Sequence, residues 1–173
     1  MKLTTASKIT IARVALIPVV LLLMYIDFPG HMYWALAVFI IASCSDFVDG
    51  YIARHYNQVS NFGKFVDPLA DKLLVISVML VYVDWGYMPA WAAIIVVARE
   101  LCVTGLRLVA VEGGKVIAAA WSGKIKTAST MVCFCLMMLP VPKFVISVCW
   151  IIVVLTTVYS GVEYFIKNAD VFK

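Results

Sequence analysis

Residues 46–71 read DFVDGYIARHYNQVSNFGKFVDPLAD, a stretch with four aspartates: Asp46, Asp49, Asp67 and Asp71. The segments on either side of this stretch are almost wholly apolar. A carboxylate in an apolar environment is costly to desolvate, so it needs a partner or a function. The role of these carboxylates is therefore the main question that the sequence raises about fold and function.

The composition is that of an integral membrane protein. Of the 173 residues, 64% are hydrophobic and only 14% are charged, and the mean hydropathy is +1.01. A soluble domain of this length cannot bury so much apolar surface. We therefore expect the protein to lie in membrane lipid and not to bind nucleic acid.

Apolar runs separated by polar or Pro/Gly-containing segments predict six transmembrane helices in one all-α domain over residues 1–173. Backbone groups in lipid must pair within their own segment, which favours helices. Several runs are shorter than the roughly 20 residues that cross about 30 Å of hydrocarbon, so the helices must extend into their charged flanks. The predicted spans are Ile9–Ile26, Met32–Ile52, Leu69–Val83, Pro89–Val109, Ile125–Leu139 and Phe144–Ile166.

The basic residues predict the orientation of these helices. Thirteen of the fourteen Lys and Arg residues fall on one side of the predicted bundle, and Lys143 is the exception. Cytoplasmic connections of membrane proteins carry the excess of Lys and Arg. Both termini are therefore expected in the cytoplasm.

The four aspartates are expected to meet at one depth. The i,i+3 spacing of Asp46 and Asp49 and the i,i+4 spacing of the other pair put each pair on one helix face. Counting inward from the predicted outer helix ends, His31 and Asp84, the first pair lies about 22 and 27 Å along its helix and the second about 20 and 26 Å. Two faces with two carboxylates each can then converge in the cytoplasmic leaflet.

Four such carboxylates would repel one another unless they were protonated or bound to cations. Arg54 and Lys72 could neutralise two of them, but hard divalent cations neutralise an all-oxygen set better. Gly50, Ala53 and Gly63 leave a smooth surface beside the carboxylates, which a nucleotide or its pyrophosphate could approach closely. A set of surface carboxylates on a cytoplasmic loop is the plainer alternative.

The motif resembles the signature of the CDP-alcohol phosphotransferases, D-x-x-D-G-x-x-A-R followed by eight residues and G-x-x-x-D-x-x-x-D. All eight fixed positions match without a gap. Near the N-terminus, Thr10 and Arg13 match a further family pattern, whereas Ser7 stands where the family commonly has Asn. Further segments resemble the phosphatidylglycerophosphate synthases of that family: SDFVDGYIAR (45–54), FGKFVDPLADK (62–72), ARELCVTGLR (98–107) and GKIKT (123–127).

This resemblance implies a six-helix enzyme of the bacterial inner membrane, usually a homodimer, with its active site facing the cytoplasm. It implies two divalent cations, Mg²⁺ or Mn²⁺, held on the CDP pyrophosphate by the four aspartates, with Asp71 also the general base. The positions that it assigns to CDP binding are Thr10, Gly50, Ala53, Arg54 and Gly63.

The expected reaction joins the phosphatidyl group of CDP-diacylglycerol to an alcohol and releases CMP. Arg99, Arg107, Lys124 and Lys126 lie at the cytoplasmic ends of the fourth and fifth spans and could bind a phosphorylated acceptor such as glycerol 3-phosphate. Contact with anionic lipid headgroups is the alternative role of these cations. Inositol phosphate and phosphatidylglycerol are alternative acceptors, and a divalent-cation transporter is a more distant alternative function.

The predicted topology can be tested by cysteine labelling. Single cysteines at Gly30 and Lys115, in a background without the five native cysteines, should react from opposite sides of sealed vesicles, because the positive-inside rule puts these positions on opposite sides. Labelling of both positions from the same side would contradict the orientation.

Overall fold

The computed structural model describes the backbone of residues 5–55, 61–113, 117 and 120–172, and within these ranges the chain is all-helical. Side chains at 5–8, 46–55, 61–68, 71, 112 and 172 lie outside this description. The six helices are α1 (Thr5–Tyr25), α2 (His31–His55), α3 (Asn61–Asp84), α4 (Ala90–Glu112), α5 (Trp121–Met137) and α6 (Lys143–Lys167), and a 3₁₀ helix, Ala169–Phe172, follows α6.

Within the described residues, the six predicted helices are confirmed in number and order, and the expected extension of short apolar runs into their polar flanks is observed. Helix α3 begins at Asn61, eight residues before the predicted Leu69, and α1 begins at Thr5. The polar flanks continue the helical hydrogen bonding, which apolar character alone cannot indicate. The outer ends used for the depth count, His31 and Asp84, are the observed ends of α2 and α3.

Helix α6 is, among the described residues, the one helix long and apolar enough by length and composition to cross a membrane. The apolar parts of α1 and α2, Ile9–Tyr25 and His31–Ser45, are shorter. The prediction of six membrane spans therefore stays a prediction for the other five helices.

The first compact unit of the chain, residues 1–81, contains α1, α2 and most of α3. Helix α1 packs against α2, and both bury small and apolar side chains such as Val20, Met24, Ala35 and Phe39. Gly30 adopts a φ of +82° just before α2, a left-handed backbone conformation that residues other than glycine rarely adopt. The connection between the two helices is therefore short and sharply turned.

The second unit, residues 82–173, contains the end of α3 together with α4, α5 and α6. Helix α6 packs against both α4 and α5, and the 3₁₀ helix packs against the ends of α4 and α6. Val103, Leu106 and Tyr164 form a buried cluster there, against which Ile117 and Val171 pack. Ile117, before α5, and the 3₁₀ helix, after α6, thus both lie against this part of the helix group.

Tyr82 links the end of α3 to α5 within this second unit. Its side chain is fully buried, and its hydroxyl donates a hydrogen bond to the carbonyl oxygen of Phe134 at 2.8 Å. The two rings meet edge to face, with centroids 5.3 Å apart. The same carbonyl accepts the backbone N–H of Met138, so Tyr82 adds a second bond near the end of α5.

Replacement of Tyr82 by Phe should lower the free energy of unfolding in detergent by about 1 kcal/mol, because one buried hydrogen bond is lost while the ring remains. Thermal or denaturant unfolding of the purified protein would measure the change. Tyr87→Phe is the control, since Tyr87 is partly exposed and stacks on Tyr82. Equal stability of Tyr82→Phe and the wild type would contradict a contribution from this bond.

Candidate active site

The carboxylate motif lies on two helices, as predicted. Helix α2 includes Asp46 and Asp49, and α3 includes Asp67 and Asp71, so each pair shares a helix at a spacing that puts it on one face. The side chains of these aspartates and of the other motif positions lie outside the described part of the chain, so their convergence stays a prediction. Those other positions are Gly50, Ala53 and Arg54 on α2 and Gly63 on α3.

Helix α1 contributes buried polar side chains to the first compact unit, which also contains α2. Thr10 and Arg13 are each only 1% exposed. The Nε of Arg13 donates to the hydroxyl of Ser45 at 3.0 Å, and that hydroxyl donates to the carbonyl of Ala42 at 2.7 Å. Because Ser45 directly precedes Asp46, Arg13 fixes α1 against the start of the carboxylate motif.

A buried ion-pair cluster joins two of the four predicted phosphate-binding residues. The carboxylate oxygen Oε1 of Glu100 accepts from Nη1 of Arg99 at 3.1 Å and from Nζ of Lys126 at 2.6 Å. The three side chains are only 12%, 16% and 6% exposed for Arg99, Glu100 and Lys126. Glu100 neutralises one of the two positive charges, which explains how Arg99 and Lys126 are accommodated inside a helix group.

Helix α6 supplies the remaining contacts of Arg99. Its Nη2 donates to the hydroxyl of Ser160 at 2.5 Å, while its Nε is buried without a hydrogen-bond partner in the described structure. Gly161, which follows Ser160 on α6, lies against the aliphatic part of the Arg99 side chain. Sequence reasoning missed both α6 residues, because serine and glycine in an apolar run carry no signal for a charged neighbour on another helix.

The other two predicted cations lie apart from this cluster on aromatic rings. Arg107 is exposed, its Nε donates to the hydroxyl of Tyr164 at 2.7 Å, and its guanidinium carbon lies 5.5 Å from the centre of that ring. The Nζ of Lys124 lies 4.9 Å from the centre of the Trp121 ring. Residues two apart on a helix point in different directions, so Lys124 is exposed whereas Lys126 is buried.

The Glu100 cluster has the chemistry of an anion site. Arg99 and Lys126 carry two positive charges and Glu100 carries one negative charge, so the three buried side chains together keep one net positive charge. A buried N–H without a partner is costly, and such groups commonly mark a position that a ligand or an unseen water completes. Arg99 therefore combines positive charge with an unused donor.

Comparison with known proteins agrees with these features. The family model described as CDP-alcohol phosphatidyltransferase matches residues 3–159. A CDP-diacylglycerol–glycerol-3-phosphate 3-phosphatidyltransferase of Bacillus subtilis is 42% identical, with 96% of each chain covered. The enzyme of the same name from Escherichia coli is 36% identical over 76% of this chain and 75% of its own length.

A probable phosphatidylglycerophosphate synthase of Mycobacterium tuberculosis is 38% identical over 92% of this chain and 78% of its own length. The family match covers all eight positions of the carboxylate motif, and it extends through α4 and α5 into α6. The chain belongs to the CDP-alcohol phosphatidyltransferase family.

Proposed function

We propose that this enzyme transfers the phosphatidyl group of CDP-diacylglycerol to glycerol 3-phosphate, giving phosphatidylglycerol phosphate and CMP. The observation that carries the proposal is the 42% identity, over 96% of both chains, to a relative named for this reaction. The net positive charge of the Glu100 cluster is consistent with an acceptor that bears a phosphate.

The donor set of the carboxylate motif fits divalent cations. Asp46, Asp49, Asp67 and Asp71 offer only carboxylate oxygens, the ligand type that Mg²⁺ and Mn²⁺ prefer over softer metals. We assign two such cations to these four residues. When bound, they supply positive charge that stabilises a diphosphate and its departing oxygen.

Asp71 is assigned the proton transfer. An alcohol is a weak nucleophile at neutral pH, so a carboxylate must accept its proton during attack. The acceptor oxygen forms a bond to the phosphatidyl phosphorus, the bond from that phosphorus to the oxygen of CMP breaks, and CMP leaves with the electron pair. The hydroxyl proton of the acceptor passes to Asp71.

The remaining motif positions are assigned to the CDP group. Gly50, Ala53 and Gly63 are small residues that let a nucleotide approach the helix backbone closely. Thr10 and Arg54 offer a hydroxyl and a guanidinium as hydrogen-bond donors. The burial of Thr10 on α1 supports a role inside the protein rather than at its surface.

Arg99, Arg107, Lys124 and Lys126 are assigned to the acceptor phosphate. A phosphate monoester carries close to two negative charges at pH 7 and offers three oxygens, which suits several cationic donors. The unpartnered Nε of Arg99 supports this assignment most directly. Arg107 and Lys124 keep donor hydrogens free, since each ring contact occupies only part of the cationic group.

The same proposal places the protein in the bacterial inner membrane as a homodimer, with six spans, cytoplasmic termini and an active site that faces the cytoplasm. Its composition, the apolar helix α6 and the position of thirteen of its fourteen basic residues support the topology. A membrane location lets the diacyl chains of the donor remain in lipid while the headgroup reacts.

Asp71→Asn should lower kcat by orders of magnitude and retain CDP-diacylglycerol binding better, because the amide keeps the size of the side chain but cannot accept the proton. Asp46→Asn should instead weaken the binding of both the metal and the donor. Steady-state CMP release and a binding assay with CDP-diacylglycerol would separate the two effects. Near-normal turnover by Asp71→Asn would remove this residue from the role of base.

Glycerol 3-phosphate should support CMP release, whereas free glycerol, serine and inositol should not. Arg107→Ala or Lys126→Ala should raise the KM for glycerol 3-phosphate roughly tenfold to hundredfold, as expected when one charge-assisted hydrogen bond worth about 1.5–3 kcal/mol is lost. The KM for CDP-diacylglycerol should change far less. Lys143→Ala, at the exposed start of α6, is the matched control.

The acceptor panel also tests the alternatives. Reaction with inositol phosphate or phosphatidylglycerol, but not with glycerol 3-phosphate, would contradict the acceptor and leave the enzyme class intact. Absence of CMP release with every alcohol in the presence of Mg²⁺ or Mn²⁺ would contradict the proposed activity itself.

A further inference from the structure

The guanidinium of Arg99 is held at two of its three nitrogens. Nη1 donates to Glu100 on the same helix, and Nη2 donates to Ser160 on α6. The third nitrogen, Nε, is buried and has no hydrogen-bond partner in the described structure. The protein thus orients the arginine and leaves the N–H of its Nε unused.

Gly161 makes room for the stem of this arginine. A Cβ atom on Gly161 would lie 3.2 Å from Cγ of Arg99, closer than carbon atoms normally approach. Cγ lies near the base of the side chain, so the few tenths of an ångström by which it would have to give would shift the guanidinium relative to Ser160 and Glu100. Gly123 on α5 differs, because its Cβ would lie 3.8 Å from Nη2, which is an ordinary contact distance.

Holding the arginine before a ligand arrives has a consequence for binding. A free arginine samples many rotamers, and a ligand that must immobilise it binds more weakly. An arginine already held by Ser160 and Glu100 loses little further freedom when an anion approaches. The unused Nε is then a fixed donor for an incoming oxygen.

We infer that Ser160 and Gly161 are positioning residues for the acceptor phosphate and act through Arg99. Ser160 fixes the orientation of the guanidinium, and the absence of a side chain at Gly161 lets the stem lie against α6. This inference rests on the proposed function, because it assigns the unused Nε to an oxygen of glycerol 3-phosphate. Neither residue needs to touch the acceptor.

The two glycines provide a matched pair of variants. Gly161→Ala should raise the KM for glycerol 3-phosphate about three- to tenfold, the effect expected when one side chain must be ordered by the ligand. It should leave the KM for CDP-diacylglycerol unchanged. Gly123→Ala adds the same methyl group beside the same arginine without a close contact, so both constants should stay at wild-type values.

Ser160→Ala provides a second variant that adds no bulk and should also raise the KM for glycerol 3-phosphate about three- to tenfold. Each variant is then combined with Arg99→Ala, or with Arg99→Lys if that protein does not fold. Residues that act through Arg99 should have no additional effect on KM in its absence, because double-mutant cycles detect such coupling. Thermal unfolding in detergent separates a loss of stability from a change in KM.

Equal effects of Gly161→Ala and Gly123→Ala, or undiminished effects of Ser160→Ala in the Arg99 background, would overturn the inference. An unchanged KM for glycerol 3-phosphate in Arg99→Ala would overturn it as well, while rapid CMP release with that acceptor would leave the proposed reaction standing. Failure of every acceptor with the wild-type enzyme would instead contradict the proposed function.

Discussion

The ion pairs of the Glu100 carboxylate with Arg99 and Lys126 are the interaction on which the described cationic cluster depends. Arg99 and Lys126 lie within hydrogen-bond distance of one of its oxygens, and all three side chains are largely removed from solvent. Two buried cations without this partner would repel each other and lose their hydration. Glu100 compensates one of the two positive charges, so the three side chains together keep one net positive charge.

Helix α6 combines an apolar composition with polar contacts to α4. It is the longest apolar helix among the described residues, which suits a membrane span. Along one side it also presents Ser160, Gly161 and Tyr164 to the arginines of α4. Polar side chains on an apolar helix are accommodated when groups on a neighbouring helix satisfy their hydrogen bonds.

Much of the fold could be predicted from the sequence. Six apolar runs indicated six helices, and the polar connections indicated the start of α2 at His31 and the end of α3 at Asp84. The extension of α3 into its polar flank was expected from the thickness of a membrane, but the exact residue at which it begins, Asn61, could not be predicted, because the hydrogen bonding of a helix end does not depend on apolar character.

A site residue could be predicted from the sequence when its type was unusual for its surroundings, such as a charge in an apolar run. Arg99 was identifiable as a charge within an apolar helix, and Glu100 as its neighbour. The separation of Lys124 from Lys126 follows from helical spacing, although both belong to one basic segment. Ser160 depends on how α4 and α6 pack, which a single sequence does not specify. Arg13 could be identified as a charge at the start of an apolar run and as a match to a family pattern, whereas its hydrogen bond to Ser45 depends on how α1 and α2 pack.

The sharing of one carboxylate oxygen by two cations has a consequence for the charge balance of the cluster. If either cation is exchanged, the other still neutralises Glu100, so the helix group does not acquire an uncompensated buried charge. The charge balance of the cluster therefore tolerates replacement of one cation at a time better than replacement of Glu100, which would leave two buried cations without a partner. A single carboxylate oxygen thus limits the electrostatic cost of replacing either of its two cationic partners.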